Sequence, residues 1–224
     1  MRREVLLADI SDGKRYRIND MVKADCQDCK GCSDCCKDMG NSIVLDPLDI
    51  HRLKKSLQVD FNTLLEKYIE LNIVDHVILP NIKMSQETKQ CNFLNTEGRC
   101  TIHSERPGIC RIFPLGRVYE NREFQYFLQV NECTKKTRSK IKVSKWIACN
   151  PKLINENQAY INEWHYFLKD IEQLIIQKGD DEKFKQLTLL ILQEFYVKAY
   201  DNEQVLYEEV KQNIAAFRSQ LIGN

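Results

Sequence analysis

Long apolar runs are missing from this sequence. The longest, such as Leu189-Leu190-Ile191-Leu192, fall far short of the roughly 20 residues with which a helix crosses a bilayer, and Met1-Arg2-Arg3-Glu4 leads into no apolar signal segment. The expectation is a cytoplasmic chain with no membrane partner. An excess of either charge is missing too: 33 Lys plus Arg face 32 Asp plus Glu, a formal net charge of +1. Proteins that grip duplex nucleic acid need a basic face or arm to neutralise phosphates, so nucleic acid is not an expected partner. Glycine is scarce, and none of the eight forms a G-x-G-x-x-G turn; there is no P-loop either. The C-x-x-x-C-x-x-C spacing of radical enzymes that use S-adenosylmethionine occurs nowhere, and there is neither an internal repeat nor a low-complexity tract.

What the chain has in excess is cysteine, ten in 224 residues. In an oxidising compartment such a count means a disulfide framework; in a reduced one it means metal. With no export signal, metal is the reading taken. Five of the ten, Cys26, Cys29, Cys32, Cys35 and Cys36, fall within eleven residues, a crowding that suits a shared inorganic centre better than separate loop staples.

The remaining sequence is organised around this cluster. Residues 4–18 read as a hairpin turning at Asp12-Gly13. Asp46-Pro47-Leu48-Asp49 places a cap, a first-turn proline and a first-turn carboxylate in the order that starts a helix, which should run to Ser56 or Leu57. A second start at Asp60 leads into the stripe Phe61, Leu64, Leu65, Tyr68 and Ile69. Residues 73–79 read as one strand stopped by Pro80, and Phe124 to Val130 as another. Residues 91–114, with three cysteines and two prolines, read as a second ligand-bearing loop region. From Pro151 the pattern becomes helical: one face carries Tyr160, Ile161, Trp164, Phe167, Leu168, Ile171, Leu174 and Ile175 and stops at Gly179. A helix over about 182–200 is apolar on most sides, and a last one presents Leu206, Val210, Ile214, Phe217 and Leu221. The fold class expected is mainly α with a small β component, a metal-stapled irregular core over residues 1–150 and a C-terminal helical cap over 151–224 packed on it.

Thiolates bind zinc and iron–sulfur clusters, and C-x-x-C lets one tight turn offer two sulfurs to one centre. The spacing recurs in register from Cys26 to Cys35. The subset Cys26, Cys29, Cys32, Cys36 has the spacing of bacterial ferredoxins, yet Lys37 stands where those have proline, and no second copy follows. Consecutive spacings of two in a single loop favour an iron–sulfur cluster, whereas zinc more often pairs two separated knuckles. Adjacent Cys35 and Cys36 point apart in an extended backbone, so they could serve different metals or leave one sulfur inert.

The cluster Cys29-x-x-Cys32-x-x-Cys35-Cys36, the run Ile43-Val44-Leu45 to Leu53, and the distant Cys91, Cys100 and Arg106-Pro107-Gly108-Ile109-Cys110-Arg111-Ile112-Phe113-Pro114 together resemble the CxxCxxCC cysteine-cluster family of YkgJ-like proteins, described as chelating zinc or iron. The resemblance covers roughly residues 16–130. It implies Cys29, Cys32, Cys35, Cys36, Cys91, Cys100 and Cys110 as metal ligands. Cys26, Cys133 and Cys149 lie outside the core motif and are additional candidates, as is His103, which reads more simply as a ring filling an aromatic slot. Seven to ten thiols exceed the four that one centre needs, so more than one centre is open. Arg106 and Arg111 flank Cys110 and are expected to neutralise and tune the centre from its second layer.

The cofactor expected is an iron–sulfur cluster of the 4Fe-4S kind, with zinc as the alternative. The functions weighed are an iron–sulfur protein with a redox or Lewis-acid role, acting with a redox partner or on a protein substrate; a structural zinc module that binds a protein partner; and, from the resemblance alone, a protein lysine N-methylase, since some relatives are associated with flagellin lysine methylation. The sequence leaves open which of these, enzyme or not, applies.

Overall fold

The computed structural model describes residues 6–26, 32–135, 137–178 and 181–222; for residues 178, 181–184, 221 and 222 only the backbone is described. Helix α1 (Leu7–Ile10) is a single turn, and strand β1 (Met21–Asp25) follows. Helices α2 (Pro47–Leu57) and α3 (Phe61–Lys67) lead into strands β2 (Ile69–Val74) and β3 (Val77–Ile82). After the short helix α4 (Gly108–Ile112) come β4 (Leu115–Glu120), β5 (Glu123–Leu128), β6 (Ser139–Lys142) and the turn of helix α5 (Val143–Trp146). The C-terminal part is α6 (Ile154–Lys178), α7 (Asp181–Ile191) running on as a π-helix over Leu192–Val197, and α8 (Glu203–Ile222). About 47% of the chain is helical and 21% is strand, so the class is mixed α/β rather than mainly α.

The strands form three separate antiparallel pairs: β1 with β6, β2 with β3, and β4 with β5. Residues 73–79 are therefore not one strand. The chain reverses at Asp75-His76, both at positive φ (46° and 66°), which is what a two-residue hairpin turn requires. Asp-His carries no Asn-Gly signal, so the turn was hidden in a β-rich run. Pro80 does not stop the strand either. It faces Leu71 across the hairpin while its carbonyl accepts from Leu45 N at 2.9 Å, so its missing N–H lies on the side away from β2. The β4–β5 hairpin turns the same way at Asn121-Arg122 (φ 53° and 59°).

The expected hairpin at the start is replaced by another pairing. The chain only bends at Gly13 (φ +74°); Ser11 bridges to Gln129 and Tyr16 to Tyr126, so this segment pairs alongside β5 rather than with its own other arm. Residues 4 and 5 lie outside the described residues.

Helix α2 begins where its sequence says: the Asp46 side chain accepts from Asp49 N (2.9 Å) while Asp49 Oδ2 accepts from Asp46 N (3.2 Å), a reciprocal capping box ahead of Pro47. Asp60 caps α3 by accepting from Thr63 N at 2.8 Å. The larger core joins α2, α3 and the β2–β3 hairpin to the C-terminal helices, with Leu53, Leu64, Phe167, Ile171, Ile191, Phe195 and Leu206 fully inaccessible. Phe195 packs against Trp164, Phe167 and Phe217 with ring centroids 5.1–5.4 Å apart. Polar ties cross the same boundary: Leu48 N donates to Tyr160 Oη (3.0 Å), Tyr196 Oη donates to the Leu45 carbonyl (3.1 Å), and Arg52 pairs with Glu203 at 2.8 Å. The α7 region is less enclosed than its composition suggests, because Leu189 and Leu190 stay exposed while Ile191, Leu192 and Phe195 are buried. Gly179 and the Phe184 and Leu221 side chains lie outside what is described. A smaller core packs Val22, Ala24 and Cys26 of the N-terminal segment against Ile112, Leu115, Tyr126, Val143 and Trp146.

Candidate metal centre

The two cysteine-bearing loop regions are zipped together by backbone. Cys91 N donates to the Cys36 carbonyl (2.8 Å), Asp38 N donates to the Lys89 carbonyl (2.8 Å), and Lys37 bridges to Gln90. Beyond this seam the second loop turns on itself at Asn95–Gly98, so that Leu94 bridges to Cys100. The second loop is anchored in the larger core by Phe93 and Ile102, with Cys91, Cys100 and Cys110 packed against it.

The Arg106–Pro114 segment is held from two sides. From helix α2, Asp49 Oδ1 accepts from Gly108 N (2.8 Å), so one carboxylate both completes the capping box and seats the segment that carries Cys110. From within, the buried guanidinium of Arg111 donates from Nε to the Arg106 carbonyl (3.1 Å), and from its two Nη atoms to the carbonyls of Ser104 (2.9 Å) and Ala148 (3.4 Å). Trp146 Nε1 closes the far end by donating to the Ile112 carbonyl at 3.2 Å. Arg106 and Arg111 both flank Cys110 in the sequence, but the fold uses them differently. Arg111 spends its donors on carbonyls, whereas the Arg106 charge acts on the sulfurs, favouring the thiolates of Cys35 and Cys100.

Six of the cysteines, Cys32, Cys35, Cys36, Cys91, Cys100 and Cys110, line one cavity of about 780 Å³. Four of them, Cys35, Cys91, Cys100 and Cys110, lie within electrostatic reach of one another in every pairing. Burial pushes the Cys110 thiol up, and the charges of Cys91, Cys35, Asp49 and Cys100 push it further. For Cys35 the main cause is a hydrogen bond with Cys36, followed by burial. Cys91 and Cys100 are raised by burial, while backbone N–H groups, of Phe93 and Ile102 respectively, favour their thiolates. Adjacent Cys35 and Cys36 do not point apart. They sit on a 3₁₀ turn, Asp34–Cys36, where backbone curvature keeps successive side chains on neighbouring faces.

The other candidates are placed elsewhere. Cys26 is buried in the smaller core, and Cys133 has Cys26 and Cys32 as charge neighbours, so these three form a second sulfur neighbourhood; Cys32 Sγ also lies 3.9 Å from Thr134 Oγ1. Cys149 faces the charges of Arg52, Glu203 and Arg111 and donates to the Asn150 carbonyl at 3.8 Å. Cys29 lies outside the described residues. His103 Nε2 sits 3.1 Å from Arg106 Nη1; arginine can only donate, so this nitrogen accepts. Asp49 is the residue that sequence reading saw only as a helix-start carboxylate. The signal for more was its place three residues after a capping Asp in a helix packed on the cysteine loops, which only the fold reveals.

The donor set suits a soft metal: the nine described cysteines are all free thiols, and four gather with one guanidinium nearby. As they stand, no three Cys, His, Asp or Glu side chains among the described residues are arranged to hold a metal ion. No helix among those residues is long and apolar enough to cross a membrane. Residues 28–139 match the family model CxxCxxCC, described as a proposed zinc- or iron-chelating domain. No curated protein and no solved structure matches the chain.

Proposed function

Because the chain belongs to the CxxCxxCC family, it is a metal-binding cysteine-cluster protein, and we propose that Cys35, Cys91, Cys100 and Cys110 hold an iron–sulfur cluster between the two loop regions. The observation that carries this is the gathering of these four thiols on the wall of one roomy cavity. A structural zinc site closes tightly on its own four ligands and needs no such space, whereas a cluster that meets a substrate or partner does. With a thiolate on each iron, such a cluster would, when bound, supply electron transfer.

The chain's own groups prepare the site. The i+2 backbone donors of Phe93 and Ile102 stabilise sulfur charge at Cys91 and Cys100, and Arg106, oriented by His103, adds a positive charge beside Cys35 and Cys100. Asp49 seats Cys110 through Gly108. Because burial keeps the thiols protonated, loading the centre releases protons, and uptake should be faster as pH rises.

The test is iron, zinc and acid-labile sulfide measured on protein purified without oxygen. Wild type should carry iron with matching sulfide, Cys35→Ser, Cys91→Ser and Cys110→Ser should each lose most of it, and Cys149→Ser should keep it. Stoichiometric zinc without sulfide would replace the cluster with a structural zinc. Equal metal in all variants would overturn the ligand assignment.

A further inference from the structure

The cavity that carries the thiols has another wall, formed by β4 and α6, and that wall holds a cation with no anionic partner in contact among the described residues. Arg117 lines the cavity from β4. Its guanidinium lies over the rings of Phe124 (5.6 Å to the centroid) and Tyr126 (6.0 Å), and its polar partners are the hydroxyls of Tyr119 and Tyr126. Those groups are neutral. Its Nε–H is buried and has no acceptor among the described residues. The Asp46 carboxylate acts on Arg117 from a distance, without an ion-pair contact, while it caps α2. A half-buried cation whose contacts are neutral and whose Nε–H lacks an acceptor is costly unless something else meets it.

We propose that this part of the cavity binds a small organic monocarboxylate, with Arg117 as its counter-ion. A planar guanidinium offers two parallel N–H donors to a carboxylate, and about 780 Å³ falls within the range of small-ligand pockets. The charge count selects the class. Lys169, the other cation among the described residues of this wall, is held by Glu172 and Asp75, so Arg117 is the cation left to meet a ligand, and with Asp46 also in reach it can balance at most one further negative charge, too little for a phosphate dianion. The neighbouring surface suits an apolar or aromatic body: Trp164 lines it, and Tyr119 stacks on His165 with centroids 3.5 Å apart. Burial, with Lys169 next, pulls the His165 pKa down to about 4, so this ring adds no competing cation at neutral pH. The proposal extends the cluster reading, since a carboxylate anchored at Arg117 would present its other end to the cavity that the thiols line.

The experiment is calorimetric titration of the full-length protein, with its metal content measured, using phenylacetate and hexanoate, each against its neutral amide. The acids should bind at least about tenfold more tightly than the amides. Arg117→Gln should abolish that preference while iron and sulfide stay at wild-type levels, and Arg117→Lys, which keeps the charge, should retain part of it. Equal affinity for acid and amide, or binding of neither, in wild type of full metal content would overturn the proposal. Protein that lacks iron yet still prefers the acid would refute the cluster and support the anion site.

Discussion

Replacing Arg111 with lysine keeps a positive charge next to Cys110 and removes the planar fork, which separates a charge that tunes sulfur from a clamp that holds a loop. Arg111 is 7% exposed and reaches three carbonyls, two with good geometry (2.9 and 3.1 Å) and one long (3.4 Å). Its one described ion pair, with Glu105, is long at 4.0 Å, and Asp49 acts on it without an ion-pair contact, so most of its energy comes from the carbonyls. A hydrogen bond from a charged donor contributes about 1.5 kcal/mol or more, and leaving a buried carbonyl unpaired adds to the loss, so Arg111→Gln should cost about 3 kcal/mol. Lysine, with one compact ammonium, can satisfy one carbonyl and should cost about 2 kcal/mol. Urea unfolding read by tryptophan fluorescence measures both, and Trp146 reports locally because it donates to Ile112 at the end of the same segment. If Arg111→Lys is within about 0.5 kcal/mol of wild type while Arg111→Gln is not, charge alone matters and the clamp is refuted. Arg106→Gln is the complementary variant: it should change stability little and make the thiols of Cys35 and Cys100 slower to react with a thiol reagent in the metal-free protein, because it removes the charge that favours their thiolates.

Asp49, pushed up to about 7 by burial and by Asp46, binds its proton more tightly folded than unfolded, so metal-free protein should lose stability as pH rises from about 4 to about 7. A urea midpoint that rises over that range, or a slope unchanged in Asp49→Asn, would contradict this. Tyr160→Phe deletes the acceptor of the Leu48 N–H at the start of α2 and should cost about 1–2 kcal/mol with an unchanged m-value; a neutral substitution would mean that N–H finds water. A chain ending at Asn150 loses Trp164, Phe167, Phe195 and Phe217 from the larger core and should be recovered insoluble; a soluble truncation with full metal would show that the helices are dispensable.

Local chemistry was legible before any coordinates. The start of α2 at Asp46-Pro47, the cap of α3 at Asp60, the buried faces of α6 and α8 and the cysteine-family membership all depend on residues within a turn or two of each other, or on a spacing that is itself the signal. Even locally there were limits: the Asp75-His76 turn carries no glycine, and the Ser11–Tyr16 segment found its partner in β5, more than a hundred residues away. The tertiary structure alone decided which thiols share a cavity, since Cys35 meets Cys91, Cys100 and Cys110 only because the Cys36–Cys91 seam and the Asp49–Gly108 bond bring separate loops together. It also divided two arginines that look alike in sequence. A guanidinium five residues from another can face sulfur or face carbonyls, and what settles the difference is which unpaired backbone groups the fold has buried beside each.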